Sequence, residues 1–186
     1  MTIAQESIGV TDWTIDSVHS TFEFALRHSM VSTIKGAFEN VNGQVHFDPQ
    51  RLSNSWVRAE IEMSSINSHN QGRDHHARGS DFLDVANHPM ATFVSTRVEP
   101  QDGDRFMVVG DLTFRGVTNE VNFDTAFEGS TQRMDGSLCS AFVGRGTIKR
   151  TDFGLSLGVL IPAGFPAISN EIDLVMYMTC FPATAE

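Results

Sequence analysis

Thr21-Phe22-Glu23-Phe24-Ala25-Leu26-Arg27 is the stretch that decides the fold class. Phe22, Phe24 and Leu26 alternate with Thr21, Glu23, Ala25 and Arg27. Side chains change face at every residue of a strand, so this alternation makes one apolar face and one polar face. A helix would scatter the three apolar groups around its circumference. The same period recurs at Val41 to Phe47, Val57 to Met63, around Phe93, Phe106 to Phe114, Val121 to Phe127, Phe142 to Ile148 and Ile172 to Met178. Asn42-Gly43, Asp48-Pro49, Asp102-Gly103, Arg115-Gly116 and Asp135-Gly136 supply turn chemistry along the chain. Eight short strands with turns between them predict an all-β barrel or sandwich. Only two stretches break the period, and both predict short helices: Asn70 to Ala86, and a turn near Thr151 to Leu155. No linker, repeat or low-complexity segment divides the 186 residues, so residues 1–186 read as a single domain.

With the phenylalanine-bearing parity taken as inward, Gly43, Ala59, Gly110, Gly144 and Gly146 also point inward. A closed barrel of about eight strands is just wide enough to be filled by side chains or to hold one small ligand. The small inward residues either leave room for a ligand or mark bends at barrel corners.

Composition narrows the function. Hydrophobic residues make up 40% of the chain, a globular proportion. Thirteen basic against 23 acidic side chains give a net charge of −10. Nucleic-acid binding and adsorption to anionic membranes both ask for basic surface and are disfavoured. Residues Met1 to Thr11 hold neither Lys nor Arg and no apolar core, and no run reaches the length of a membrane span. The expected location is cytoplasmic. Two cysteines, Cys139 and Cys180, make neither a disulfide framework nor a four-cysteine zinc site. Of the seven histidines, His75 and His76 are adjacent and would diverge by about 100° on a helix. No metal site and no required cofactor is expected. Phosphate-loop and dinucleotide fingerprints are absent, and no catalytic residues are assigned.

Five blocks, in order, carry a resemblance. They are Trp13-Thr14-Ile15-Asp16 with His19-Ser20; Arg27-His28 with Val31 to Phe38; Arg73-Asp74-His75-His76 and Asp81-Phe82-Leu83-Asp84 through His88-Pro89 to Phe93; Gly110 to Thr118; and Arg150-Thr151-Asp152-Phe153-Gly154. The chain resembles the YceI-like family of polyisoprenoid-binding, lipocalin-like proteins over about residues 12–181. Ala77 departs from the pattern, standing where the family usually has a larger apolar residue. The resemblance implies an extended eight-stranded antiparallel β-barrel of lipocalin type, with one or two short helices and an elongated apolar lumen. It also implies a long-chain apolar lipid as ligand, such as a polyisoprenoid or isoprenoid quinone, carried or stored without catalysis. A homodimer is the family-level expectation, and a stress-responsive interaction protein whose dimer surface matters more than its cavity is a further reading. An enzyme acting on such a lipid at the polar mouth of the barrel is the alternative.

Parity nominates the lumen wall: Phe22, Phe24, Leu26, Val45, Phe47, Val57, Ile61, Phe93, Leu112, Phe114, Phe123, Phe127, Phe142, Ile148, Leu174 and Met176. The polar candidates are His28, Arg73, Asp74, His76, Arg150 and Asp152, which sit in the resembling blocks. They either form a polar mouth that meets a lipid head group, or pin helix and turn to the barrel by ion pairs. The apolar, Gly- and Pro-bearing stretch Leu157 to Phe165 reads as a loop that needs a cover: the lumen mouth, a dimer partner or a membrane.

Overall fold

The structure, a computed structural model, describes residues 11–156, 162, 164 and 167–183. Eleven strands form one antiparallel sheet: β1 (Thr11–Ile15), β2 (Thr21–His28), β3 (Ser32–Phe38), β4 (Val41–Phe47), β5 (Trp56–Glu62), β6 (Ile66–Asn67), β7 (Met90–Pro100), β8 (Arg105–Phe114), β9 (Val117–Gln132), β10 (Leu138–Lys149) and β11 (Ile168–Pro182). The ring closes through β1, β4, β5, β7, β8, β9, β10 and β11, with β1 pairing back onto β11 at Ile15↔Cys180. That is a closed eight-stranded barrel. The three further strands are continuations. β2 follows β1 along the same edge of β11, β3 runs on into β4, and β6 runs on from β5.

The three interruptions lie side by side. Asn40 N–H donates to Ser65 Oγ (3.1 Å), Glu62 N–H donates to the Asn40 carbonyl (3.0 Å), and Asn40 Nδ2 donates to Glu62 Oε2 (2.7 Å). Beyond this level β6 pairs with β3 and not with β7, so the barrel wall is parted there. Helix α1 (Gln71–Arg78) and the turns that follow it occupy the gap. Asn70 caps α1 by accepting from Arg73 N–H (2.9 Å). The helix is shorter than the Asn70 to Ala86 stretch read from sequence. Gly79 ends it in extended conformation, and Asp84 reaches φ +49° in the turns beyond. Near Thr151 to Leu155 the expected turn is a 3-10 helix, Arg150–Phe153.

The end of the barrel away from α1 is solid. Phe47 packs against Phe106, Phe127 and Phe142 with ring centroids 5.9, 5.1 and 5.2 Å away. A bulge between Ala141 and Phe142 sets Phe142 opposite Phe127. The inward glycines do not leave empty room. A Cβ on Gly146 would lie 2.8 Å from Phe123 Cδ1, and one on Gly36 would lie 2.6 Å from Phe24 Cζ. Phenylalanine rings from neighbouring strands already fill the space above these glycines.

Candidate functional site

Between the solid end and α1 lies an apolar lumen of about 80 Å³. The sixteen described residues that line it are all apolar. Phe22, Phe24, Leu26, Ile61, Leu112, Phe114, Ile148 and Leu174, nominated by parity, are among them. The others are Phe38, Met63, Ile66, Phe82, Leu83, Ala91, Leu155 and Ile172, which parity did not nominate. Phe82 and Leu83 come from the turns after α1, and Leu155 follows the 3-10 helix. Met63, Ala91 and Ile172 carried a usable sequence signal, since they share the parity of Ile61, Phe93 and Leu174.

Val45, Phe47, Val57, Phe93, Phe123, Phe127, Phe142 and Met176 border neither this lumen nor the space above it. They belong to the packed interior, and the physical reason is depth. All share the inward parity, but their registers place them toward the closed end.

The lumen continues into a wider vestibule of about 590 Å³ under α1. Phe24, Leu26, Ile66 and Phe82 border both spaces. Four of the six polar candidates, His28, Arg73, Asp74 and His76, line the vestibule with Ser32, Thr33 and Ser68. Arg73 and Asp74 meet through Ser68. Arg73 Nε donates to Ser68 Oγ (2.7 Å) and Nη2 to the Ser68 carbonyl (2.5 Å). Asp74 Oδ1 accepts from Ser68 N–H (2.9 Å) and from Ser68 Oγ. Asp74 is buried at 6% exposure and is the vestibule's one carboxylate among the described residues. His76 stands edge-on to Phe82, with ring centroids 6.4 Å apart.

Arg150 and Asp152 lie elsewhere. Arg150 is buried, its Nε donating to the Ser169 carbonyl (3.0 Å) and its Nη1 to the Leu155 carbonyl. It ties the 3-10 turn to β11 and holds Leu155 in the lumen wall. Asp152 is exposed, and its carbonyl accepts from Asn119 Nδ2 (2.9 Å). The apolar stretch Leu157 to Phe165 falls largely outside the described residues.

The arrangement suits burial of an apolar chain: among the described residues the lumen wall is built from apolar side chains. Polar groups converge at the vestibule, where a ligand's head would remain hydrated or hydrogen-bonded. Among the described residues no three His, Cys, Asp or Glu side chains gather as a metal site would need, and no helix is long and apolar enough to cross a membrane.

The comparisons with known proteins agree with the barrel. A UPF0312 protein of Staphylococcus aureus is 35% identical over 178 residues, covering 95% of this chain and 97% of that one. BcnA of Burkholderia cenocepacia superposes with TM-score 0.78 at 23% identity, over 89% of this chain and 98% of that one. A polyisoprenoid binding domain from Saccharophagus degradans, implicated in plant cell wall breakdown, superposes with TM-score 0.68 at 15% identity, over 92% and 98%. At those identities the two structures establish likeness of fold alone. The family model described as YceI-like domain matches residues 13–180, from the Trp13 that β1 buries to the Cys180 that closes the ring, and the chain belongs to that family.

Proposed function

We propose that the protein binds an apolar lipid chain, a polyisoprenoid or isoprenoid quinone, end-on, and carries or stores it without transforming it. One observation carries this reading: among the described residues, an apolar-lined lumen adjoins a vestibule that gathers Arg73, His28 and His76. The tail enters the lumen and the head stays among the vestibule's polar groups. The polyisoprenoid binding domain of S. degradans, which shares the fold, supports the choice of ligand. Each buried CH₂ contributes roughly 0.8 kcal/mol, so a five-carbon unit gains on the order of 4 kcal/mol before ordering and association costs offset part of it. Such a wall selects by shape and length.

Solvent extraction of the purified protein followed by mass spectrometry, paired with native mass spectrometry, tests the reading. A stoichiometric isoprenoid lipid is expected. An empty protein that also refuses added isoprenoids overturns it. The same native spectrum reports whether the chain is the homodimer that the family resemblance implies.

A further inference from the structure

Two phenylalanines stand just beyond the residues that line the lumen. Phe93 and Phe123 meet edge to face, with ring centroids 5.4 Å apart and planes at 89°, and both are almost wholly buried. Phe93 lies two residues along β7 from lumen-lining Ala91 and stands opposite lumen-lining Leu112. Phe123 lies over Gly146, which stands opposite lumen-lining Leu174. The pair therefore occupies the level immediately below the lumen.

Each ring is seated over a glycine of a neighbouring strand. A Cβ on Gly110 would come within 2.7 Å of Phe93 Cζ, and one on Gly146 within 2.8 Å of Phe123 Cδ1. With backbone beneath them and each other's edge beside them, the rings have little freedom to swing aside. Below them Met176 Cε lies over Gly144, and the Phe47 cluster closes the barrel.

We propose that the Phe93–Phe123 pair is the floor of the binding site and sets the length of chain that the barrel accepts. The inference rests on the lipid-binding reading above. Its scale follows from strand geometry. Same-face residues recur every ~6.6 Å along a strand, while one isoprene unit, with four main-chain bonds, spans about 5 Å at the chain reach of ~1.2 Å per bond. Removing one floor ring thus admits about one more unit. While added units enter apolar space, affinity climbs; once the tail touches the floor, further units stay outside and add nothing.

The test titrates linear isoprenoid alcohols of two to eight units into the unaltered protein, Phe123→Ala, Phe123→Leu and Phe106→Leu. For the unaltered protein, affinity is expected to rise at least about tenfold per unit and then level off. In Phe123→Ala the levelling point moves out by one unit. Phe123→Leu, a milder deletion that spares the fold, gains several-fold for the first alcohol beyond the original levelling point. Phe106→Leu makes the same deletion inside the solid end and leaves that point unmoved. A dry cavity of benzene size binds benzene or xenon, so uptake of either confirms that the Phe123→Ala void has opened. An unmoved levelling point in both Phe123 variants overturns the floor and leaves lipid binding standing. Failure of every alcohol to bind the unaltered protein overturns the lipid-binding reading and the floor's function with it.

Discussion

Phe47→Ala separates the solid end of the barrel from its binding end. Phe47 is 5% exposed and touches three other rings, Phe127 at 5.1 Å, Phe142 at 5.2 Å and Phe106 at 5.9 Å. Truncating a buried phenylalanine costs ~3–5 kcal/mol, because the lost transfer energy is joined by a residual cavity. Three aromatic contacts, each worth ~0.5–1.5 kcal/mol beyond area alone, place Phe47 near the top of that range. The neighbouring rings are themselves hemmed in and collapse poorly into the void. The expected loss is about 4–5 kcal/mol, or roughly 10–15 °C in Tm at ~2–4 °C per kcal/mol for a chain of this size. Urea unfolding followed by circular dichroism measures it, with the midpoint falling and the m-value unchanged. Isoprenoid affinity, measured well below the new midpoint, stays within about twofold, since Phe47 borders neither lumen nor vestibule. A loss under about 2 kcal/mol would refute the close packing assigned to this end. A many-fold change in affinity at retained stability would refute the separation of plug from site.

Buried polar and thiol groups give the remaining predictions. Cys139 and Cys180 are both free, but Cys180 is fully buried, and burial, aided by the charge of Asp16, pushes its thiol up to about 12. The folded protein keeps this proton at pH values where an unfolded thiol, titrating at ~8.5, releases it. The stabilisation is therefore complete below pH ~8.5 and is lost as pH rises toward 12, at about 1.4 kcal/mol per pH unit for this one group. Urea midpoints taken from pH 8 to 10.5 should fall more steeply in the unaltered protein than in Cys180→Ala, and parallel curves would contradict this. A thiol reagent should label one cysteine in the native protein, Cys139, and two after denaturation. Ser68→Ala removes the hydroxyl that joins Arg73 to Asp74, with an expected loss of about 1–2 kcal/mol in urea unfolding. Ser68→Ala should also speed release of a bound lipid, because Arg73 loses one of the two bonds to Ser68 that fix its guanidinium; an unchanged release rate would detach Arg73 from the head group.

The sequence exposes what is local and hides what is set by register. Strands β2, β4, β5, β7, β8, β9, β10 and β11 are amphipathic at period two and were legible. Strand β1 offers only Trp13 and Ile15 as apolar residues, too few to establish a period. Strand β3 places Gly36 where an inward apolar residue belongs, and the ring that fills the space is Phe24 from β2. The missing side chain is supplied by another strand, so no window around Gly36 shows it. Gly110 and Gly146 left ligand space and barrel corners equally open in the sequence for the same reason, and each seats a phenylalanine ring. Parity also fixes which way a side chain points but not how far along the barrel axis it lies. Phe22 and Phe47 therefore look alike in sequence, yet one lines the lumen and the other plugs the barrel. Among the polar candidates, vestibule and turn were indistinguishable. Arg73 and Arg150 each stand beside or near an aspartate in sequence, and only the fold sends one to α1 and the other beneath β11.

The two ends of the barrel differ in the kind of bond that closes them, and that difference gives the site its direction. At the solid end, β4, β8, β9 and β10 bring the Phe47 cluster together while locked into ladders on both edges, so no ring can leave without disturbing the sheet. At the α1 end the wall is parted, because β6 contributes only two residues and turns away from β7. The bonds that fasten α1 there come from side chains. Arg78 Nε and Nη2 donate to the Ser64 and Ile66 carbonyls, each at 2.8 Å, and Asp74 holds Ser68. A few side-chain bonds open at far lower cost than a ladder of backbone bonds in a closed sheet. The segment they hold also supplies Phe82 and Leu83 to the lumen wall, so displacing it would widen the apolar space at the vestibule. On the lipid-binding reading proposed above, an apolar chain would enter where opening breaks no strand pairing and come to rest where the rings are held by the sheet.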